Sequence, residues 1–269
     1  MWRLLVILLV FGLSSPVLAC GGSERCDVAE GYYLASPPPE WDGQSPLPVV
    51  VFYHGWNSSP EGMFRNRAML NAVHKRGAMF VAPYARTGYW RQIGDGRAER
   101  GRDELAYAKA VMADLKTRWP IDETRVLASG FSRGASMVWN LACYGADLFS
   151  AYVPIAGGFW NSNPPDCPSG PVNLRHIHGQ GDRVVAFDEI GIYNSMPIPE
   201  GMALLRRLNA CRLEPDGNSS QTRYECQDWT TCDSGRTLSI CLHPKGHSIP
   251  AEWVAEGYDW MIGLEQPPG

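Results

Sequence analysis

Short apolar runs alternating with helix-patterned segments constrain this chain more than any other feature. "PLPVVVFYHGW", "AMFVAPY", "TRVLASGF", "SAYVPIAGG" and "VNLRHIHGQGD" are brief, largely continuous apolar stretches of strand length. Such runs suit strands buried on both faces, because a half-exposed strand would alternate with polar residues. Between them lie segments with helical spacing: "EGMFRNRAMLNAVHKR" over 61–76, stopped by Gly77, and "RDELAYAKAVMADLKTRW", stopped by Pro120. "SRGASMVWNLAC", "EGMALLRRLNAC" and "PAEWVAEGYDWMIG" read as further helices, and "CGGSERCDVAEGYYLASPPPEWDG" as a strand with a proline-rich connection. The expectation is an α/β fold with a mostly parallel central sheet and helices on both faces. It forms one domain over 20–269, with no internal repeat or long linker.

Residues 1–19, "MWRLLVILLVFGLSSPVLA", are set apart from that fold. Arg3, the apolar run and the small-residue end at Ala19 have the layout of an export signal peptide. The apolar run is short for a membrane span, so the mature chain is expected to carry no transmembrane segment and to be secreted or periplasmic. Cys20 also permits a lipobox reading, although Leu18 next to Ala19 matches that pattern imperfectly. A net charge of −4 and the absence of a long basic run argue against nucleic acid as a partner.

Eight cysteines in an exported chain read as a disulfide set, and no C-x2-C with paired histidines points to a metal. Cys20 and Cys26 are near enough to close a small loop. "TRYECQDW" and "RTLSICLH" alternate like two strands, and a turn centred on Asp233-Ser234 sets Cys226 opposite Cys241. That leaves Cys211 with Cys232, and Cys143 with Cys167.

In an open parallel sheet the ligand site lies beyond the carboxyl ends of the strands. After "RVLASGF" comes Gly130-x-Ser132-x-Gly134, a strand-to-helix turn that can expose a serine hydroxyl at a helix start. A serine needs a base to become a nucleophile. His247 in "HPKGHSIP" follows the last strand, with His243 as its rival closer to that strand. Asp182 in "HGQGDRVV" is the candidate acid, with Asp188 and Glu189 as alternatives further along. The amides of Trp56, after His54-Gly55, and of Arg133 are candidate oxyanion donors. Each residue has a plain alternative, such as an N-capping serine, a turn aspartate or a strand-end glycine. The specific signal is their joint order, each beyond a strand.

With these motifs in place, the chain resembles the exported esterases of the polyhydroxybutyrate depolymerase and feruloyl esterase lineage within the α/β-hydrolases. The likeness rests on "VVVFYHGW", "RDELAYAKAVMADL", "RVLASGFSRGASMVWNLAC", "YVPIAGGFW", "HIHGQGDRVV", "LRRLNAC" and "GHSIP". It implies the α/β-hydrolase fold and places nucleophile, acid and base on Ser132, Asp182 and His247. It also implies a bridged cysteine after Asn209 and Ala210, in agreement with Cys211–Cys232. Arg133 stands where the family usually has a small or apolar residue, and Ile249 where it commonly has tryptophan. The implied activity is hydrolysis of a small or polymeric ester, through an acyl-enzyme and without cofactor or metal. A peptidase of the same fold and a non-catalytic binding protein are the alternatives. Trp90, Phe159 and Trp160 are possible substrate contacts, with core packing as their alternative. Arg133 is expected to meet a substrate carboxylate or to pair with Asp103 or Glu104.

Overall fold

A computed structural model describes residues 20–91, 101–160, 167–191 and 194–264; the expected signal peptide lies outside them. The strands are β1 (Cys26–Val28), β2 (Gly31–Ser36), β3 (Leu47–Tyr53), β4 (Met79–Pro83), β5 (Ile121–Phe131), β6 (Ala151–Ile155), β7 (Leu174–Gly179), β8 (Gly217–Gln221), β9 (Tyr224–Trp229) and β10 (Leu238–His243). The helices are α1 (Pro60–Arg65), α2 (Arg67–His74), α3 (Glu104–Arg118), α4 (Arg133–Tyr144), α5 (Ile198–Leu208) and α6 (Glu252–Gly263). One sheet holds the strands in the order β1-β2-β4-β3-β5-β6-β7-β10-β9-β8. Its centre, from β4 through β3, β5, β6 and β7 to β10, is parallel. Antiparallel strands close both edges.

The continuous apolar runs have a simple cause: each central strand feeds two cores. In β3, Val49, Val51 and Tyr53 join the layer under α3, α4 and α5, whereas Val50 and Phe52 join the layer under α2 and α6. β4 divides likewise, with Met79 and Val81 on one face and Phe80 and Ala82 on the other. With helices on both faces, neither set of side chains reaches water.

Three local readings change. The single helix expected over 61–76 is two, because Asn66 leaves helical geometry (φ −75°, ψ 77°) and caps α2 through the Met69 amide. Its short polar side chain competes with the helix backbone, which favours a cap over a helix interior. The N-terminal strand is a hairpin, β1 with β2, reversed at Glu30 with φ 68°. Finally, β8 adds an edge strand whose polar "GNSSQ" lacks the apolar alternation that marks a strand in sequence.

Disulfides join Cys20 to Cys26, Cys143 to Cys167, Cys211 to Cys232 and Cys226 to Cys241. The last links register partners of β9 and β10. Around Cys211 the fold is specified by its neighbours. The buried Asn209 carboxamide both donates to Val172 O (2.7 Å) and accepts from Val172 N (3.1 Å). Ala210 follows at φ 53°, where a bulky or branched residue would be more strained.

Under β1 and β2 lies a buried ion pair, Arg102 with Glu104 at 2.6 Å. The Arg102 guanidinium also rests 3.7 Å over the Tyr107 ring. Asp103, between them, instead caps α3 through the amides of Leu105 and Ala106.

Removing the Cys226–Cys241 bridge opens a loop with a sequence separation of 15. Replacing both cysteines by serine is expected to cost about 3 kcal/mol, through the regained freedom of the unfolded chain. Urea unfolding under oxidising conditions measures it.

Candidate active site

Strand order reverses at one place in the parallel sheet. After β3 the chain passes to β4 on one side, and then to β5 on the other. The loops leaving β3 and β5 therefore diverge and open a crevice at the carboxyl edge. His54-Gly55-Trp56 leaves β3 at this point, and Ser132 leaves β5.

Ser132 is the N-cap of α4, with φ 55° and ψ −121°. This is a costly conformation for a residue with a side chain, and it persists only when its surroundings enforce it. Here they do. The Ser132 N–H donates to Ile155 O (3.0 Å), and its carbonyl accepts from Ser136 N (3.0 Å). A Cβ on Gly134 would stand 1.8 Å from Tyr53 O, and one on Gly130 would stand 2.7 Å from Gly134 O. A Cβ on Gly157 would come within 2.4 Å of Ser132 O. Gly130 and Gly134 let α4 start directly against the end of β3, and Gly157 lets the chain after β6 pass against the first turn of α4.

The remaining groups come from loops after β7 and β10, on the β5 side of the strand reversal. His247 Nδ1 lies 2.7 Å from Asp182 Oδ2, and its ring lies 4.8 Å from that of Phe131, the residue before Ser132. Asp182 follows β7, with its side chain fully buried. Its Oδ1 accepts the amides of Val184 (2.8 Å) and Val185 (2.9 Å). Burial alone would raise the Asp182 carboxyl, but His247 and those amides outweigh it and hold the group below its ordinary value. The carboxylate is thus ionised, and its contact implies that the His247 Nδ1 carries a proton toward it.

The other candidates divide by position. His243 ends β10 as a buried residue 4.6 Å from the Trp253 ring, and its Nδ1 accepts from Lys245 N. Asp188 and Glu189 are exposed beyond the acid loop. The Trp56 side chain is 71% exposed, at a turn in which Ser58 N donates to Gly55 O and Asn57 N to Gly88 O. Trp90 and Phe159, read as possible substrate contacts, are core residues. Trp90 is 1% exposed and donates its indole N–H to His54 O (2.8 Å), while Phe159 packs edge-on against Trp139. Apolar residues beside a site and apolar residues beneath it look the same in sequence. Trp160 is half-buried and bonds through its indole to Ser136 Oγ, with the Arg133 guanidinium 4.6 Å over its ring. Arg133 donates to Trp90 O (2.7 Å) rather than meeting Asp103 or Glu104, which are engaged in the α3 cap and with Arg102.

Sequence reasoning passed over Gly157, Gly179 and His178. A Cβ on Gly179 would lie 2.3 Å from Lys245 O, so this glycine lets the His247 loop close over the end of β7. Glycines directly after "YVPIA" and "LRHIH" were the available signal, since a glycine at a strand end often marks close backbone approach. Among the described residues, no group of three or more His, Cys, Asp or Glu side chains is placed to hold a metal ion, and no helix is long and apolar enough to cross a membrane.

No family model matches the chain. It is 24% identical over 163 residues to a "Probable feruloyl esterase C" of Aspergillus niger, an alignment covering 58% of this chain and 56% of that protein's length. Feruloyl esterase C of Emericella nidulans is 25% identical over 202 residues, covering 69% of this chain and 71% of its own. Among solved structures, an acetyl xylan esterase from Aspergillus awamori superposes with a TM-score of 0.66 at 16% identity, covering 87% of this chain and 94% of the other. The likeness to solved esterases is one of fold, and the fold is that of the α/β-hydrolases.

Two outcomes follow from this geometry. Gly134→Ala is expected to destabilise by about 3 kcal/mol, the upper part of the overpacking range. Gly263→Ala, with open space around it, should be nearly neutral in the same urea titration. The Asp182 carboxyl, depressed in the native state, should stay ionised to lower pH than an ordinary aspartate. Its stabilising contribution is then present above the unfolded value and lost as pH falls through the native one. A carboxyl ¹³C titration that placed Asp182 at or above the ordinary value would contradict this.

Proposed function

We propose that this protein is a secreted serine carboxylic-ester hydrolase, with Ser132 as nucleophile, His247 as base and Asp182 as the acid that orients it. The observation that carries the reading is the His247–Asp182 pair at 2.7 Å, with the His247 ring 4.8 Å from that of Phe131, the residue before a serine held at φ 55°. The relatives named as feruloyl esterases and the fold shared with solved esterases support the same chemistry.

In this mechanism His247 Nε2 takes the Ser132 proton as Oγ attacks the ester carbonyl. Asp182 holds the imidazole in the useful tautomer and stabilises the imidazolium that forms. The backbone N–H of Arg133, first in α4, and that of Trp56 receive the developing oxyanion, where preorganised donors act without reorganising. His247 then protonates the leaving alkoxide, and water repeats the sequence to release the acid. Hydroxyalkanoate esters and feruloyl or other acyl esters are the proposed substrate classes. Trp160, beside Arg133 at the crevice, is the proposed contact for the acyl or alcohol part.

Export is supported by the leader-like segment and by the disulfides, which persist in oxidising compartments. The bond of Cys20 to Cys26 favours a free secreted or periplasmic chain over lipid attachment at Cys20. The domain is proposed to occupy 20–269.

Ser132→Ala and His247→Ala should each lose on the order of 10⁴-fold or more in kcat on p-nitrophenyl acetate, with circular dichroism unchanged. Near-wild-type turnover by Ser132→Ala would remove the proposal. Cleavage of peptides but not of esters would favour a peptidase on the same scaffold.

A further inference from the structure

Beneath the proposed site runs a chain of buried polar groups that the mechanism does not use. Trp139, in the middle of α4, points its indole Nε1 at His176 Nδ1 (3.3 Å). His176 Nε2 lies 2.9 Å from His178 Nδ1, and His178 Nε2 lies 2.9 Å from Val185 O. All three side chains are buried. We infer that Trp139, His176 and His178 form a positioning relay that fixes the Asp182 loop from the helix carrying Ser132. This inference rests on the esterase reading of Ser132, Asp182 and His247.

The direction of every bond in the chain is determined by its ends. An indole N–H only donates, so His176 Nδ1 accepts and the His176 proton sits on Nε2. That proton points to His178 Nδ1, which must accept, and so the His178 proton also sits on Nε2. There it meets the Val185 carbonyl, which only accepts. Working backward from Val185 gives the same assignment, so the chain is consistent only with both imidazoles neutral. Within this chain of contacts a proton added to either ring would set one N–H against another, while the Pro154 carbonyl also faces His176 and would accept from it. Burial, reinforced at His176 by the neighbouring His178, already disfavours such charge.

Val185 is the junction between this relay and the proposed acid. Its carbonyl is held by His178, and its N–H holds Asp182 Oδ1 (2.9 Å). The peptide planes on either side of this residue are thereby fixed. The other carboxylate oxygen, Oδ2, faces His247 at 2.7 Å and lies 3.7 Å from His178 Nε2. The relay therefore sets the position of the one group that orients His247. It does so from α4, whose first turn follows Ser132 directly. His178 touches no reacting atom, and its role is to keep nucleophile and acid in a common frame.

Two measurements on the purified full chain test this. In ¹⁵N-histidine spectra, His176 and His178 should both be neutral Nε2–H tautomers. An Nδ1–H form or a charged ring at either position overturns the relay, whether or not an ester is ever found. In kinetics on p-nitrophenyl acetate, His178→Leu should lower kcat by about 10–100-fold with KM within about twofold, the scale of a sub-ångström to 1 Å misplacement. His178→Gln, which keeps an N–H to offer Val185 O, should recover most of that loss. Trp139→Phe, which retains an aromatic ring and drops the donor, should show a smaller loss confined to kcat. It serves if His178→Leu fails to fold. Wild-type kcat in His178→Leu, or equal losses in the leucine and glutamine variants, overturns the inference. If the wild-type chain cleaves no ester, the functional reading fails while the tautomers still decide the relay.

Discussion

The contact between the start of α4 and the end of β3 is the constraint on which the rest of the site depends. Gly134 brings its Cα against the Tyr53 carbonyl so closely that no side chain fits between them. Because α4 is pinned there, Ser132 is driven into its positive-φ conformation, and the crevice at the strand reversal opens beside it. Tight packing stores this strain: α4 is buried over most of its length, so the serine cannot relax without lifting a helix off the sheet. A flexible loop bearing the same residues would give neither the exposure nor the precision.

The loops after β7 and β10 are held differently. They depend on polar contacts more than on steric exclusion: Asp182 is fixed by two amides and an imidazole, and the Val185 peptide is bonded through both its N–H and its carbonyl. Gly179 supplies the steric part by letting the His247 loop close over β7. The disulfides lie elsewhere, at the N-terminal hairpin, behind α4 and around the C-terminal hairpin. They constrain the outer elements, while the crevice is held by the sheet and its hydrogen bonds.

Much of this was legible in the chain. The doubly covered strands announced themselves because two-sided burial leaves continuous apolar runs such as "VVVFY". The meeting of Asp182 with His247 followed from the rule that parallel strands end at one edge, so residues 65 apart in sequence converge there. What escaped was information held by partners rather than by pattern. Asn66 breaks a helix whose spacing looks uninterrupted, and β8 is a strand because β9 offers it an edge. Trp90 and Phe159 sit near the site in sequence but below it in space. Arg133 finds the Trp90 carbonyl and the Trp160 ring, neither of which spacing could assign.

The strand reversal has a kinetic meaning as well. The candidate site draws on loops after β3, β5, β7 and β10, and no two of those loops come from a single hairpin or helical pair. Local segments that form early in folding can carry one or two of the groups, but never the set. Long-range parallel pairings are the slow events of folding, since loop closure must precede the contacts that reward it. Ester turnover in this chain would therefore report completion of the whole sheet, silent for every partly folded form and abrupt in its onset.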